Sequence, residues 1–395
     1  MKLKIRHLIS SPFIATAAYL FFVYVPYLYP TFHFPFEKVY GFWEHTLVCL
    51  VLFTLILVAR LLAHYPHLKL PKFESSKIVV PKVSKAWFYI ATLFLLASFF
   101  MNVLMDINAM SSYTGNLSSS KKSLEDFGGI NIISQLCLFF VVPYLIYIEQ
   151  NKRRWGYLFL GLLLLSVMVR SYFMAERLAA LELLIPIVIT FVTIKGTKVL
   201  LTKLLKYFFI LLGFFVLFEL TRQFRNQYKD EAVDLGFKVS WTVERFFDYY
   251  GDTQNKFYYA LENDMSFTST SYLDWGGRIL KRVGLDVTKQ TDKIDYGEYV
   301  WKDFTNKGGL AMIYTDFGLL MGIGFFVCYF TSFFVLWFKL KKGSLYAWSI
   351  YPFFFVWIIE LARYNPIFLT RFLVPFMVFN AMYLFYEGAK NIKVQ

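Results

Sequence analysis

Three cysteines and five histidines are all that this 395-residue chain offers for metal or redox chemistry. Cys49, Cys137 and Cys328 each fall inside an apolar run and have no metal-type spacing, which argues against a disulfide framework or a zinc site. His7, His33, His45, His64 and His67 are scattered. There is no HExxH, no Walker A loop, no GxGxxG after a strand and no GxSxG, so the usual zinc-protease, P-loop, dinucleotide and α/β-hydrolase signatures are missing. A metal would need carboxylates alone, and none cluster convincingly, so no metal or cofactor is expected. Ten-residue alternating segments, the sign of a transmembrane barrel, are also missing. No internal repeat stands out, and the inverted repeat of many secondary transporters is not apparent.

Charge is scarce as well, at 17% of residues against 57% hydrophobic, and mean hydropathy is +0.49. A soluble protein of this length would be far more polar. Runs of about 20 nearly uncharged residues follow one another, as in transmembrane helices. The chain therefore reads as an all-α polytopic membrane protein, since only helices and closed barrels satisfy their backbone in lipid. Ten spans are expected, near 8–29, 43–63, 86–105, 129–149, 155–171, 178–195, 206–222, 310–338, 344–362 and 366–386. The start, MKLKIRHLISS, resembles a signal-peptide n-region, but the apolar stretch runs on to about Tyr29 without a good cleavage site. It is read as a retained first span. The organisation expected is seven spans in 1–222, one long outer loop in 223–309, and three spans with a cytoplasmic tail in 310–395.

With the N-terminus placed in the cytoplasm, the inner side holds 21 Lys/Arg and only three acids, Glu74, Glu149 and Glu387. The outer side holds 20 Lys/Arg and 24 acids. This positive-inside asymmetry puts both termini in the cytoplasm. Lysine and arginine divide differently. Of 28 lysines, 17 are inside; of 13 arginines, nine are outside: Arg170, Arg177, Arg222, Arg225, Arg245, Arg278, Arg282, Arg363 and Arg371. Lysines that fix topology belong inside. Arginines gathered outside need another reason, and guanidinium binds phosphate or carboxylate through two parallel bonds. Snorkelling and loop salt bridges are the plainer explanation for any one of them.

The stretch RSYFMAERLAALE, residues 170–182, interrupts two apolar runs. The run before it, 156–169, spans roughly 21 Å as a helix, less than the hydrocarbon thickness of about 30 Å. Both flanking helices are therefore expected to end below the outer surface, with Arg170, Glu176 and Arg177 at their junction. Arg170 and Arg177 share a face if the helix runs on. The expected product is a recessed, positively charged pocket open to the outside, and ionisable groups at such depth are functional candidates. The plainer alternative is a hairpin whose arginines reach headgroups, with Glu176 and Glu182 as counter-ions.

The loop 223–309 is too long for a turn, and long loops in compact structures are usually functional or disordered. Its segment KVSWTVERFFDYYGDTQNKFYYALE is helix-patterned and should fold. Arg245, Asp248 and Asp252 make one helical stripe if Gly251 does not break it. With Tyr249, Tyr250 and Asn255 they form a surface suited to sugars, rings stacking on apolar sugar faces and polar groups taking hydroxyls. A helix lying aromatic side down at the membrane interface fits equally well. Further charge stands at outer span ends: Asp316 in YTDFGLLMG, Glu360, Arg363, Asn365 and Arg371 in the ninth-to-tenth turn, and Arg222 at the end of the seventh span.

This layout resembles Wzy-type oligosaccharide repeat-unit polymerases, within the wider O-antigen polymerase and ligase group. RSYFMAERLAALELLIP, RFFDYYGDTQN and IYTDFGLLMGIG carry the resemblance, in that order, within an architecture of ten spans and one late outer loop. The resemblance implies a GT-C-like fold in a bacterial inner membrane, with its active face periplasmic or extracellular. It implies undecaprenyl-diphosphate-linked glycans as donor and acceptor, membrane lipids around them, and a separate chain-length co-polymerase as partner. No nucleic-acid partner is expected. In that chemistry recessed arginines hold the leaving diphosphate and stabilise its developing charge. A carboxylate takes the proton of the attacking sugar hydroxyl. Arg170, Arg177 and Arg371 are the first diphosphate candidates, with Arg222 and Arg245 behind them. Glu176, Asp248, Asp252 and Asp316 are the base candidates. The rivals are an O-antigen ligase, whose long loop usually carries a histidine that this loop lacks, a lipid-linked oligosaccharide flippase, and a membrane-bound acyltransferase.

Overall fold

The computed structural model describes residues 10–29, 37–65, 78–112, 133–174, 177–195, 239–268, 308–366 and 370–392. Within them the chain is all-helical. The helices are α1 (Pro12–Leu28), α2 (Phe42–His64), α3 (Lys85–Ser111), α4 (Cys137–Gln150), α5 (Arg154–Met174), α6 (Arg177–Lys195), α7 (Val239–Glu262), α8 (Gly309–Lys341), α9 (Leu345–Glu360) and α10 (Thr370–Ile392). Nine of these ten fall on spans expected from hydropathy; α7 lies in the expected outer loop. The seventh expected span, 206–222, is outside the described residues. Four helices are long and apolar enough to cross a membrane: α2, α3, the 18 residues Arg154–Ser171 of α5, and α8.

Local chemistry sets the helix ends. Pro12 opens α1, where a missing N–H costs nothing. Ser84 caps α3 by accepting from Trp87 N, and Ser344 caps α9 by accepting from Ala347 N. Inside the helices, hydroxyls satisfy themselves on their own backbone. Thr54, Thr92, Ser171, Thr193 and Ser349 each donate to the carbonyl four residues back. That arrangement removes the penalty of a bare hydroxyl in an apolar surrounding.

The centre of the bundle is aromatic. In α4 every side chain from Cys137 to Ile148 is buried, and α9 is buried over nearly its whole length. Phe139 of α4 sits against Phe353 at 4.6 Å between centroids, and against Trp357, Phe376 and Phe379. Helix α9 touches α1, α4, α6 and α8, so it is the post around which the others stand. By contrast α2 and α3 expose broad apolar faces, among them Leu47, Leu50, Phe53, Leu57 and Leu61 on α2 and Leu93, Phe100 and Ile107 on α3. Patches of that extent are unfavourable in water and suit contact with lipid.

Two glycines shape the path of α8. A Cβ on Gly309 would lie 1.9 Å from the Leu361 carbonyl oxygen, so only glycine lets α8 start against the end of α9. Gly318 takes φ 68°, a left-handed conformation, and interrupts α8 there.

The bundle has two distinct ends. At one, Val79 N donates to Lys341 O, Gln150 Nε2 to Pro81 O, and Lys195 pairs with Glu149 at 3.3 Å. This end gathers Lys82, Lys85, Lys152, Arg153, Arg154, Lys339 and Lys342, and is called the lysine end below. The other is the end on which α7 packs.

Candidate functional site

Helix α7 runs unbroken through Gly251, so the stripe expected across that glycine is helical. It packs against α1 and α8. Its middle is buried without interruption from Tyr250 to Lys256 apart from small exposures. Asp252 and Lys256 make an ion pair of 2.7 Å at 0% and 3% exposure. One helical turn separates them, with the acid on the N-terminal side, the better order for such a pair. Burial pulls the Lys256 ammonium below its usual value, and the Asp252 carboxylate opposes that pull. Thr253 and Gln254 both donate to the Ala362 carbonyl, tying α7 to the end of α9.

The other side of α7 is tied to α1 and α2. Asn255 accepts from Val39 N at 2.9 Å and from the Tyr27 hydroxyl at 3.3 Å, and donates to Glu37 O at 2.6 Å. Tyr258 shares a hydrogen bond with His45 Nδ1, and His45 Nε2 meets the Tyr24 carbonyl. Burial pushes the Tyr258 phenol upward, so it stays a neutral hydroxyl. Tyr250 stacks on Phe22 at 4.7 Å and is 5% exposed. The expectation of a sugar-facing surface is corrected at Tyr250 and Asn255. One ring face is covered by Phe22, and the amide is taken up by the 37–40 segment and Tyr27. The physical reason is that this part of α7 turns Tyr250, Asn255 and Tyr258 into the protein. The side chains of Arg245, Asp248 and Tyr249 lie outside the described residues.

Around α7 the ends of α6, α8 and α9 bring further charge. The Tyr364 hydroxyl donates to Glu182 of α6 at 3.3 Å, and Glu360 pairs with Arg363 at 3.4 Å. Glu182, Glu360 and Asn365 are all buried. Asp316 is buried on α8, two residues before the interruption at Gly318. Tyr314, two residues earlier, donates to Asp264 just past α7. Residues of α6, α7, α8 and α9 thus converge at one end of the bundle. Among the described residues no three His, Cys, Asp or Glu side chains gather closely enough to hold a metal ion.

A second polar cluster lies between α3 and α5. Arg170 is 3% exposed. Its Nη1 donates to Asn102 Oδ1 at 3.2 Å and to the Ser134 hydroxyl. Asn102 in turn donates to the carbonyls of Ser98 and Ser134. The expected open pocket is therefore corrected: Arg170 is recessed, but it is drawn inward by acceptors on its neighbours rather than lining an open mouth. Helix α5 stops at Met174 and α6 starts at Arg177, so Arg170 and Arg177 stand on separate helices. Glu176 and Arg222 lie outside the described residues, as do the side chains of Arg177 and Arg371.

Asp106 of α3 belongs to this second cluster and was missed from the sequence. It is 7% exposed, and the Arg170 guanidinium is within electrostatic reach. The signal was present: Ser98, Asn102 and Asp106 recur every fourth residue along an apolar helix. His45 was missed too. Its partner is 213 residues away, and no local pattern announces it.

No family model, curated protein or solved structure matches this chain. What the described residues define is a class, a helical protein in which four of the described helices are apolar and of membrane length and buried charge collects at one end.

Proposed function

We propose that the protein polymerises lipid-linked oligosaccharide repeat units. It transfers a growing glycan from undecaprenyl diphosphate to an incoming lipid-linked unit, by inverting displacement in a GT-C-like membrane scaffold. The observation that carries this reading is Arg170, a buried guanidinium about 24 Å along α5 from Arg154. That depth suits a lipid diphosphate whose headgroup enters at the α7 end while its tail stays in lipid. The lysine end then faces the cytoplasm, and the α7 end faces outward in a bacterial plasma membrane. Arg177, Arg222, Arg245 and Arg371 are further diphosphate ligands in this reading. Glu176, Asp248, Asp252 and Asp316 are the carboxylates among which the base is sought. Asp252 is the least suited, because Lys256 already holds it.

Deleting the gene and resolving the surface polysaccharide on a gel tests the reading. Loss of a polymerase leaves single repeat units. Loss of a ligase leaves long chains on undecaprenyl diphosphate, and loss of a flippase leaves nothing outside. Complementation with Arg170→Ala should give single units at normal protein levels, a drop in polymer of about 100-fold or more if the arginine stabilises the departing charge. Full-length polymer from that variant would remove Arg170 from the chemistry.

A further inference from the structure

Asp106, near the end of α3, is a buried acid that the proposed reaction leaves without a role. Its Oδ1 is buried and makes no hydrogen bond among the described residues. An acid left in that state carries a desolvation penalty that the nearby Arg170 charge offsets only in part. Such groups ordinarily have a partner absent from the bare protein or a functional reason to persist. Asp106 is one helical turn beyond Asn102, which binds Arg170, so carboxylate and guanidinium border the same space between α3 and α5. Among the described residues no ion pair joins them, although the Arg170 charge is felt at Asp106.

We infer that Asp106 and Arg170 are the two ends of one sugar-phosphate subsite. Arg170 takes an anionic phosphate oxygen. Asp106 accepts a hydrogen bond from the hydroxyl or amide on the ring carbon next to the phosphorylated one. A sugar bonded to diphosphate presents this pair of groups side by side, an anion and a donor. A bare polyprenyl diphosphate presents only the anion. Asp106 is then a specificity residue that separates loaded lipid from spent lipid and favours release of the latter. This rests on the reading of Arg170 as a diphosphate ligand.

The test uses the full chain in nanodiscs and three probes: undecaprenyl diphosphate, its glucosyl form, and its 2-deoxyglucosyl form. The wild type should bind the glucosyl form about tenfold more tightly than the 2-deoxy form, the scale of one hydrogen bond to a charged acceptor. Asp106→Ala should erase that difference while binding bare undecaprenyl diphosphate within about twofold of wild type. Asp106→Asn keeps the shape and one acceptor oxygen, and should retain part of the discrimination. Equal weakening of all three probes in Asp106→Ala would mean that the acid only balances the Arg170 charge, and overturns the inference. So would equal binding of the two glycosyl probes by wild type, a result that needs no variant to fold. If wild type binds bare undecaprenyl diphosphate and Arg170→Ala does not, the diphosphate reading stands whatever Asp106 does. If wild type binds none of the probes, both readings fall together.

Discussion

The two ends of the bundle carry charge in opposite ways. At the lysine end Lys82, Lys85, Lys152, Arg153, Arg154, Lys195, Lys339 and Lys342 are exposed. At the α7 end Arg170, Glu182, Asp252, Lys256, Asp316 and Glu360 are buried. Exposed charges stay solvated, cost little and need no partner, so position along the chain matters more than geometry. Buried charges lose their hydration and persist only with partners or for a purpose.

Breaking this contrast should give effects that fall in a definite order. Lys256→Ala strands the Asp252 carboxylate in the interior and should destabilise the protein by ~3–5 kcal/mol. Thermal unfolding in detergent reads this, and Lys256→Met combined with Asp252→Leu should recover much of the loss. If the single variant melts with wild type, the pair is not buried in the folded protein. Next, Tyr258→Phe takes the phenol from His45 and should cost ~1–3 kcal/mol, because a buried ring nitrogen loses its partner. The same variant should loosen α7, seen as faster amide exchange across Val239–Glu262. Smallest of all, Lys195→Ala removes a half-exposed partner of Glu149 at the lysine end and should cost under ~1 kcal/mol. A loss as large as that of Lys256→Ala would erase the distinction between the ends.

Helices were largely legible because lipid-facing and core-facing positions are both apolar, and hydropathy alone marks them. Their ends were not. The third span was expected to stop near residue 105, which placed Asp106 among loop acids, yet α3 runs to Ser111. A polar residue at a helix end looks the same to a hydropathy window whether it is solvated or buried, and only the fourth-residue spacing with Ser98 and Asn102 separates the cases. The fourth span was expected from residue 129, but α4 starts at Cys137, after a turn in which Leu136 N donates to Ile133 O. That turn positions Ser134 for Arg170. That Arg170 stands in an otherwise apolar run was readable; the direction of its side chain was not, because Asn102 and Ser134 are brought to it by packing. For α7 the sequence pattern identified the helix. It did not say that Phe22, rather than a ligand, would lie on Tyr250.

The interruption at Gly318 also sets a length. Uninterrupted, the 33 residues of α8 would form a rod about 50 Å long, far beyond the roughly 30 Å hydrocarbon layer. The stretch 319–341 alone measures about 34 Å, a match that needs only a modest tilt. Asp316 therefore belongs to the short segment on the other side of that interruption, buried against protein. A change at Gly318 that straightened α8 would shift that carboxylate relative to the apolar stretch 319–341 without altering one atom of its side chain.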